Sequence, residues 1–388
     1  MATSSKHWVL ASVALVVIAL ASGCGGGDEE SAFNTKSEVY VKADHPMAME
    51  FAPDGRLFFG EQLTGNIRVV NADGKLQEKP FAHVDTQIAL QWGLTGLALD
   101  PQFATNHFVY VYYTEFRQKD PLIGAPIVAR FTDQNGQGVD QRLIIGDLPN
   151  TAVHHEGINA NGRIHFGPDG FLYVSVGDYD VSEMPLAQDL STPVGKLLRV
   201  NKSDGSAAAG NPFIGKPDTD PRIYAYGFRV PFDFAFHPDT KALYGTDDTP
   251  VTCEEINVIK AGANYGWPKV GVFPFADCLA GEGAHGVAFL SKPDTRPEDF
   301  LSVVAVSGLG FATAKVYPTM GDSMIVCEFA TSLLRRLTLT PPQFEQVTAN
   351  DIVVKDCTLG IAISPDGFVY YGTDTEIRKL VPIPVKSE

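Results

Sequence analysis

Five cysteines in 388 residues, none in a CxxC or CxxCH arrangement, leave this chain without a thiol zinc pair or a covalent haem site. It also has no GxSxG elbow, no HExxH and no Walker loop, so the common hydrolase, zincin and phosphate-cradle signatures are absent. Positive charge is scarce: 30 Lys and Arg stand against 46 Asp and Glu, for a net charge of −16. An acidic surface offers neither nucleic acid nor anionic lipid a basic face, so no nucleic-acid partner is expected. The one long apolar run, Val9 to Ala21, is too short to span a bilayer. Amphipathic helical periodicity is missing as well.

What the chain has instead is glycine (37), proline (26) and one phrase repeated six times. An alternating apolar strand runs into a Pro-containing turn, and a second strand rich in aromatic and β-branched residues follows. The turns centre on Pro53, Pro101, Pro168, Pro238, Pro318 and Pro365, at intervals of 47 to 80 residues. Three of them read Pro-Asp-Gly. Proline presets the turn, Asp bonds its own backbone, and Gly accepts the positive φ that closes such a hairpin. Repeats of this length fit a four-stranded blade with variable loops, so the fold expected is all-β, a six-bladed β-propeller.

Residues 1–23 resemble a bacterial lipoprotein signal. Lys6 and His7 precede the apolar run, which ends in Leu20-Ala21-Ser22-Gly23-Cys24. Lipidation of Cys24 would make it the first mature residue and the sole membrane link of an exported, envelope-anchored protein. Residues 24–37 then read as a flexible tether and 38–388 as a single propeller, with Val39 opening its first strand. The Pro-rich tail from Val381 reads as an edge segment beside the first blade. Cys253, Cys278, Cys327 and Cys357 remain, an even number that reads as two disulfides with three possible connectivities. Nearest-neighbour pairing, Cys253–Cys278 and Cys327–Cys357, is the simplest.

Four segments carry a family resemblance: Gln91-Trp92-Gly93-Leu94-Thr95-Gly96, Asn161-Gly162-Arg163 through Gly170, Tyr226-Gly227-Phe228-Arg229, and Glu254-Glu255-Ile256-Asn257 followed by Asn264-Tyr265-Gly266-Trp267-Pro268. Together they resemble the soluble quinoprotein glucose and aldose sugar dehydrogenases, the glucose/sorbosone dehydrogenase family. The resemblance covers about residues 39–382. It implies a six-bladed propeller holding pyrroloquinoline quinone (PQQ) and calcium over its channel and oxidising an aldose-type sugar to its lactone. In that pattern Gln91 and Arg229 face the quinone, and the carbonyls of Thr249 and Pro250 hold its calcium. Glu254, Glu255 and the Tyr265 region match a second calcium site. Asn159 stands where the family has its catalytic His, and an amide cannot take the substrate's proton. His155, in His154-His155-Glu156 just upstream, is the expected stand-in base. The sequence departs elsewhere too. Val230 follows the arginine, Ala330 falls near the family's PQQ-binding lysine, and Cys357 and Leu359 fall near a late arginine pair. The alternative expectation is therefore a propeller that has lost PQQ and binds glycans or other ligands. His165 and His237 sit in strand patterns and read as structural.

Overall fold

The computed structural model describes residues 33–88, 91–116, 124–150, 159–179, 186–248, 254–267, 286–289 and 304–384. Within them lie six four-stranded antiparallel sheets. Blade 1 spans 46–83, blade 2 94–145, blade 3 164–226, blade 4 234–289 and blade 5 306–354. Blade 6 takes three strands from 361–382, and its fourth is Thr35–Lys42, from the other end of the chain. Thr35 pairs with Pro382 and Lys42 with Glu376, so the ring is fastened by the two ends of the sequence. This corrects two expectations. The first strand starts at Thr35, because Lys36, Ser37 and Glu38 belong to a solvent-washed edge whose polarity reads as tether. The closing strand Glu376–Pro382 is covered by that edge, and it tolerates Pro382 because this residue is its last.

The repeated phrase forms the hairpin between the first and second strands of each blade. Gly55, Gly170 and Gly367 have φ of 86°, 78° and 90°, as the turn demands. The second turn is elaborated by one turn of helix, Phe103–Asn106. His237 accepts the Asp239 and Thr240 amides with Nδ1 and so fastens its own turn. In an antiparallel meander these hairpins share one end of the propeller. The opposite end must carry the second-to-third-strand loops and the crossovers between blades. The described residues 61–66, 177–179, 186–195, 247–248, 328–332 and 372–375 therefore share a face with those of the crossovers, 84–88, 91–93, 159–163, 227–233 and 355–360.

Aromatic and branched side chains fill the seams, as in the cluster of Trp92, Tyr112, Ile164, Val174 and Tyr179 between blades 2 and 3. The axis is closed by Arg163. Its guanidinium donates to the carbonyls of Thr95 (2.9 Å) and Ser307 (2.8 Å) and to that of Met47, so three other blades meet on one side chain. Arg163 is 4% exposed. Beneath it His165 pairs with Asp233 at 2.9 Å, bearing out its structural role. Although burial opposes it, His165 and Arg163 hold the Asp233 carboxyl below the usual carboxylate range. Arg163 thus ties blades 1, 2, 3 and 5 together at the axis.

Candidate active site at the channel mouth

Blade 3 supplies the floor of the mouth. Asn159 and Asn161 lead into its inner strand, and Gly177-Asp178 ends its second strand. The two segments touch so closely that a Cβ on Gly177 would lie 1.8 Å from the Asn159 carbonyl oxygen. Asn159 Nδ2 donates to Asp178 Oδ1 at 2.9 Å. Asn161 Nδ2 donates to Gln91 Oε1 at 3.1 Å, and Gln91 is exposed while its neighbour Trp92 is buried.

Arg229 is positioned from blades 3 and 4 together. Tyr226-Gly227-Phe228-Arg229 runs alongside Asn264-Tyr265-Gly266-Trp267: Tyr265 N donates to the Tyr226 carbonyl (2.8 Å) and Trp267 N to that of Gly227 (2.9 Å). Phe228 stacks on Tyr265 at 4.6 Å. Gln188 clamps the turn through Asn264 and the Trp267 carbonyl. This leaves the Trp267 indole 5.8 Å from the Arg229 guanidinium, and its N–H donates to Asp178 Oδ2 at 2.6 Å. Asp178 N in turn donates to the Arg229 carbonyl (2.8 Å). Asp247 accepts the backbone N–H groups of Arg229 (3.0 Å) and Val230 (2.8 Å), and the Arg229 guanidinium reaches the Asp248 carbonyl at 3.2 Å.

The far wall is acidic and short of positive charge. Burial, then the charge of Glu255, pushes Asp247 well above its ordinary range. Burial, then Glu254, does the same to Asp248. Glu254 is itself raised by burial, although Asp248, the Ala305 N–H and Arg229 oppose it. Burial pushes Glu255 up to about 7, against a bond from Asn257. Glu328, fully buried, pairs with Arg335 nearby. Two further cations at this end are committed to protein oxygens: Arg163 as above, and Lys196 to the carbonyls of Leu186, Ala187 and Val194 at 2.7–3.0 Å. Burial pushes Lys196 down to about 7.

The structure therefore brings together Gln91, Asn159, Arg229, Glu254 and Glu255 from the residues the sequence singled out. Tyr265 is not in that group by its hydroxyl, which donates to the Val258 carbonyl and accepts the Lys260 amide further down the strand that Glu255 begins. His155, Thr249 and Pro250 lie outside the described residues, as do Cys24, Cys253 and Cys278. The Cys327–Cys357 disulfide is present. Sequence reasoning missed Asp178, Asp247, Asp248 and the indole of Trp267. A signal for the first two existed. The second strand of every blade ends on, or within two residues of, an acid: Glu61, Glu115, Asp178, Asp247, Glu328 and Asp374.

A family model described as Glucose / Sorbosone dehydrogenase matches residues 43–381. Aldose sugar dehydrogenase of Escherichia coli is 26% identical over 348 residues, 88% of this chain and 90% of that one. Quinoprotein glucose dehydrogenase B of Acinetobacter calcoaceticus is 29% identical over 259 residues, 61% of this chain and 52% of that protein. A solved Thermus structure described as an oxidoreductase (glucose dehydrogenase) superposes with a TM-score of 0.73 at 29% identity, covering 89% of this chain and all of that one.

Proposed function

The chain belongs to the glucose/sorbosone dehydrogenase family, and from that premise we propose that it is an extracytoplasmic sugar dehydrogenase that uses PQQ and calcium at the channel mouth. The observation that carries this reading is the setting of Arg229. Trp267 and Asp247 hold it beside four acids, Asp247, Asp248, Glu254 and Glu255, whose burial without enough positive charge drives them toward the protonated state.

That donor set suits calcium, which takes hard oxygen ligands, carboxylate and carbonyl alike. The carbonyls of Thr249 and Pro250 would hold the calcium at the quinone, and Glu254 and Glu255 a second calcium. The site also suits a quinone bearing carboxylates. Arg229 offers a rigid fork of donors, Gln91 offers an amide at the open side, and the cation supplies the positive charge that Arg163, Lys196 and Arg335 spend elsewhere. When bound, PQQ supplies a two-electron acceptor for the hydride that leaves the sugar's C1 carbon.

The protein's own tasks are then to orient the sugar, hold the developing negative charge and remove the hydroxyl proton. Arg229 does the second as a preorganised donor. His155 does the third, because an imidazole titrates near neutrality and Asn159 cannot hold a proton. Loss of hydride from C1 and of the proton from its hydroxyl leaves the lactone. Cys24 would tether the enzyme to the envelope. Reconstitution with PQQ and calcium, assayed on a panel of aldoses with an artificial electron acceptor, tests the reading. Sugar-dependent reduction of the acceptor is expected, and its absence in fully loaded protein overturns it.

A further inference from the structure

We propose that Asn159 and Asn161 hold the substrate by accepting two of its hydroxyl groups, and that Asp178 is the positioning residue that fixes the polarity of Asn159. The proposal deepens the dehydrogenase reading and rests on it only for the ligand being a sugar.

Asp178 sets the orientation of its neighbours. Its two oxygens receive Asn159 Nδ2 (2.9 Å) and Trp267 Nε1 (2.6 Å). An ionised carboxylate can only accept. The Asn159 amide must therefore turn its NH2 toward Asp178 and its oxygen away. Ordinarily the two ends of an amide are interchangeable assignments, but here the carboxylate decides.

That oxygen is orphaned. Asn159 is fully buried and Asn161 is 3% exposed, and the Oδ1 atom of each meets no donor among the described residues. Buried acceptors without a donor are rare and call for an explanation. These two come from one three-residue segment, Asn159-Ala160-Asn161, leading into the inner strand of blade 3. Through its NH2, Asn161 touches the exposed Gln91, and Asn159 touches the Asp178–Trp267–Arg229 group. Two acceptors lying between these groups call for two donors on one ligand, and neighbouring sugar hydroxyls are such donors. An amide oxygen accepts a hydrogen bond without keeping the proton, so this position orients the substrate hydroxyl and leaves deprotonation to another group.

The test reads D-glucose binding by calorimetry on calcium-loaded protein, with and without PQQ. Asp178→Asn is nearly isosteric but frees the neighbouring amide to turn over, and it should weaken binding by about tenfold or more. The exchanged pair Asn159→Asp with Asp178→Asn rebuilds the pattern. The amide at 178 accepts from Trp267 and donates to the new carboxylate at 159, which again presents an acceptor to the sugar. Affinity should return to within about threefold of the parent. A merely structural role for Asp178 would not be rescued this way. Asn161→Leu should weaken binding similarly without lowering the melting temperature, because it removes an orphaned acceptor.

Full affinity in Asp178→Asn overturns the proposal, as does an exchanged pair no tighter than the single variant. So does protein that binds no sugar in either state, since the orphaned oxygens would then hold water only. Sugar binding with the predicted variant pattern but no PQQ binding upholds this inference while overturning the dehydrogenase reading.

Discussion

Arg163, on the segment leading into blade 3, donates across the propeller axis to the Ser307 carbonyl of blade 5 at 2.8 Å. The same guanidinium serves Thr95 in blade 2 and Met47 in blade 1. Hydrogen bonds from a charged group are each worth roughly 1.5–3 kcal/mol, and here three buried carbonyls would lose their donor at once. Arg163→Met should therefore cost at least about 3 kcal/mol, read as a lower urea midpoint. An unchanged midpoint would mean the axis is held by other contacts.

The acidic wall ties stability to pH and calcium. Glu255 in the wall, and Glu50 in the first strand of blade 1, where it accepts the Leu99 amide, both have folded-state values raised to about 7 from an ordinary 4.5, chiefly by burial. Each contributes stability that is complete below pH 4.5 and lost as pH climbs through about 7. Metal-free protein should melt progressively lower from pH 5 to 8. Calcium favours the ionised carboxylate, so it should raise the melting temperature most at pH 8 and flatten that slope. Glu255→Gln should remove most of the calcium response. A calcium response equal at both pH values would count against the wall as the site.

The Cys327–Cys357 disulfide closes a loop of 30 residues between blades 5 and 6. Replacing both cysteines by Ser should cost about 2–4 kcal/mol, measured by denaturant unfolding. Cofactor affinity should fall little, because Gln91, Arg229, Glu254 and Glu255 are carried by blades 2 to 4 and the segments leading into them, whereas the bridge joins blades 5 and 6. A large loss of cofactor affinity with unchanged stability would reverse that assignment.

Most of the fold was legible because the hairpin is local. Pro, Asp and Gly at fixed offsets fix each turn, and six copies count the blades. The closing strand Thr35–Lys42 was partly hidden because its partner lies over 300 residues away and its outward positions are charged. The candidate site was legible only where the family motifs run: Gln91, Arg229, Glu254 and Glu255. Asp178 and Trp267 meet through 89 residues of intervening chain, and only the closure of blade 3 on blade 4 makes them neighbours. Asp247 carries the strand-end signal that all six blades share, but neither its burial nor that of Asp248 is visible in the sequence.

The proton has its own test. In protein loaded with PQQ and calcium, His155→Ala should abolish turnover while cofactor affinity stays nearly intact, since a base acts on the substrate. Adding Asn159→His places an imidazole against Asp178, which orients it as a base, and should recover turnover by about 10²-fold. No recovery would mean that position 159 does not meet the reacting hydroxyl.

If Arg229 and calcium together hold PQQ at this mouth, titrating metal-free protein with PQQ at increasing calcium should quench tryptophan emission saturably. The quenching should require calcium and weaken about tenfold or more in Arg229→Ala, the loss expected for a charge-assisted fork to a carboxylate. Quenching that never saturates at millimolar calcium, or that is indifferent to Arg229, would contradict this mode of binding.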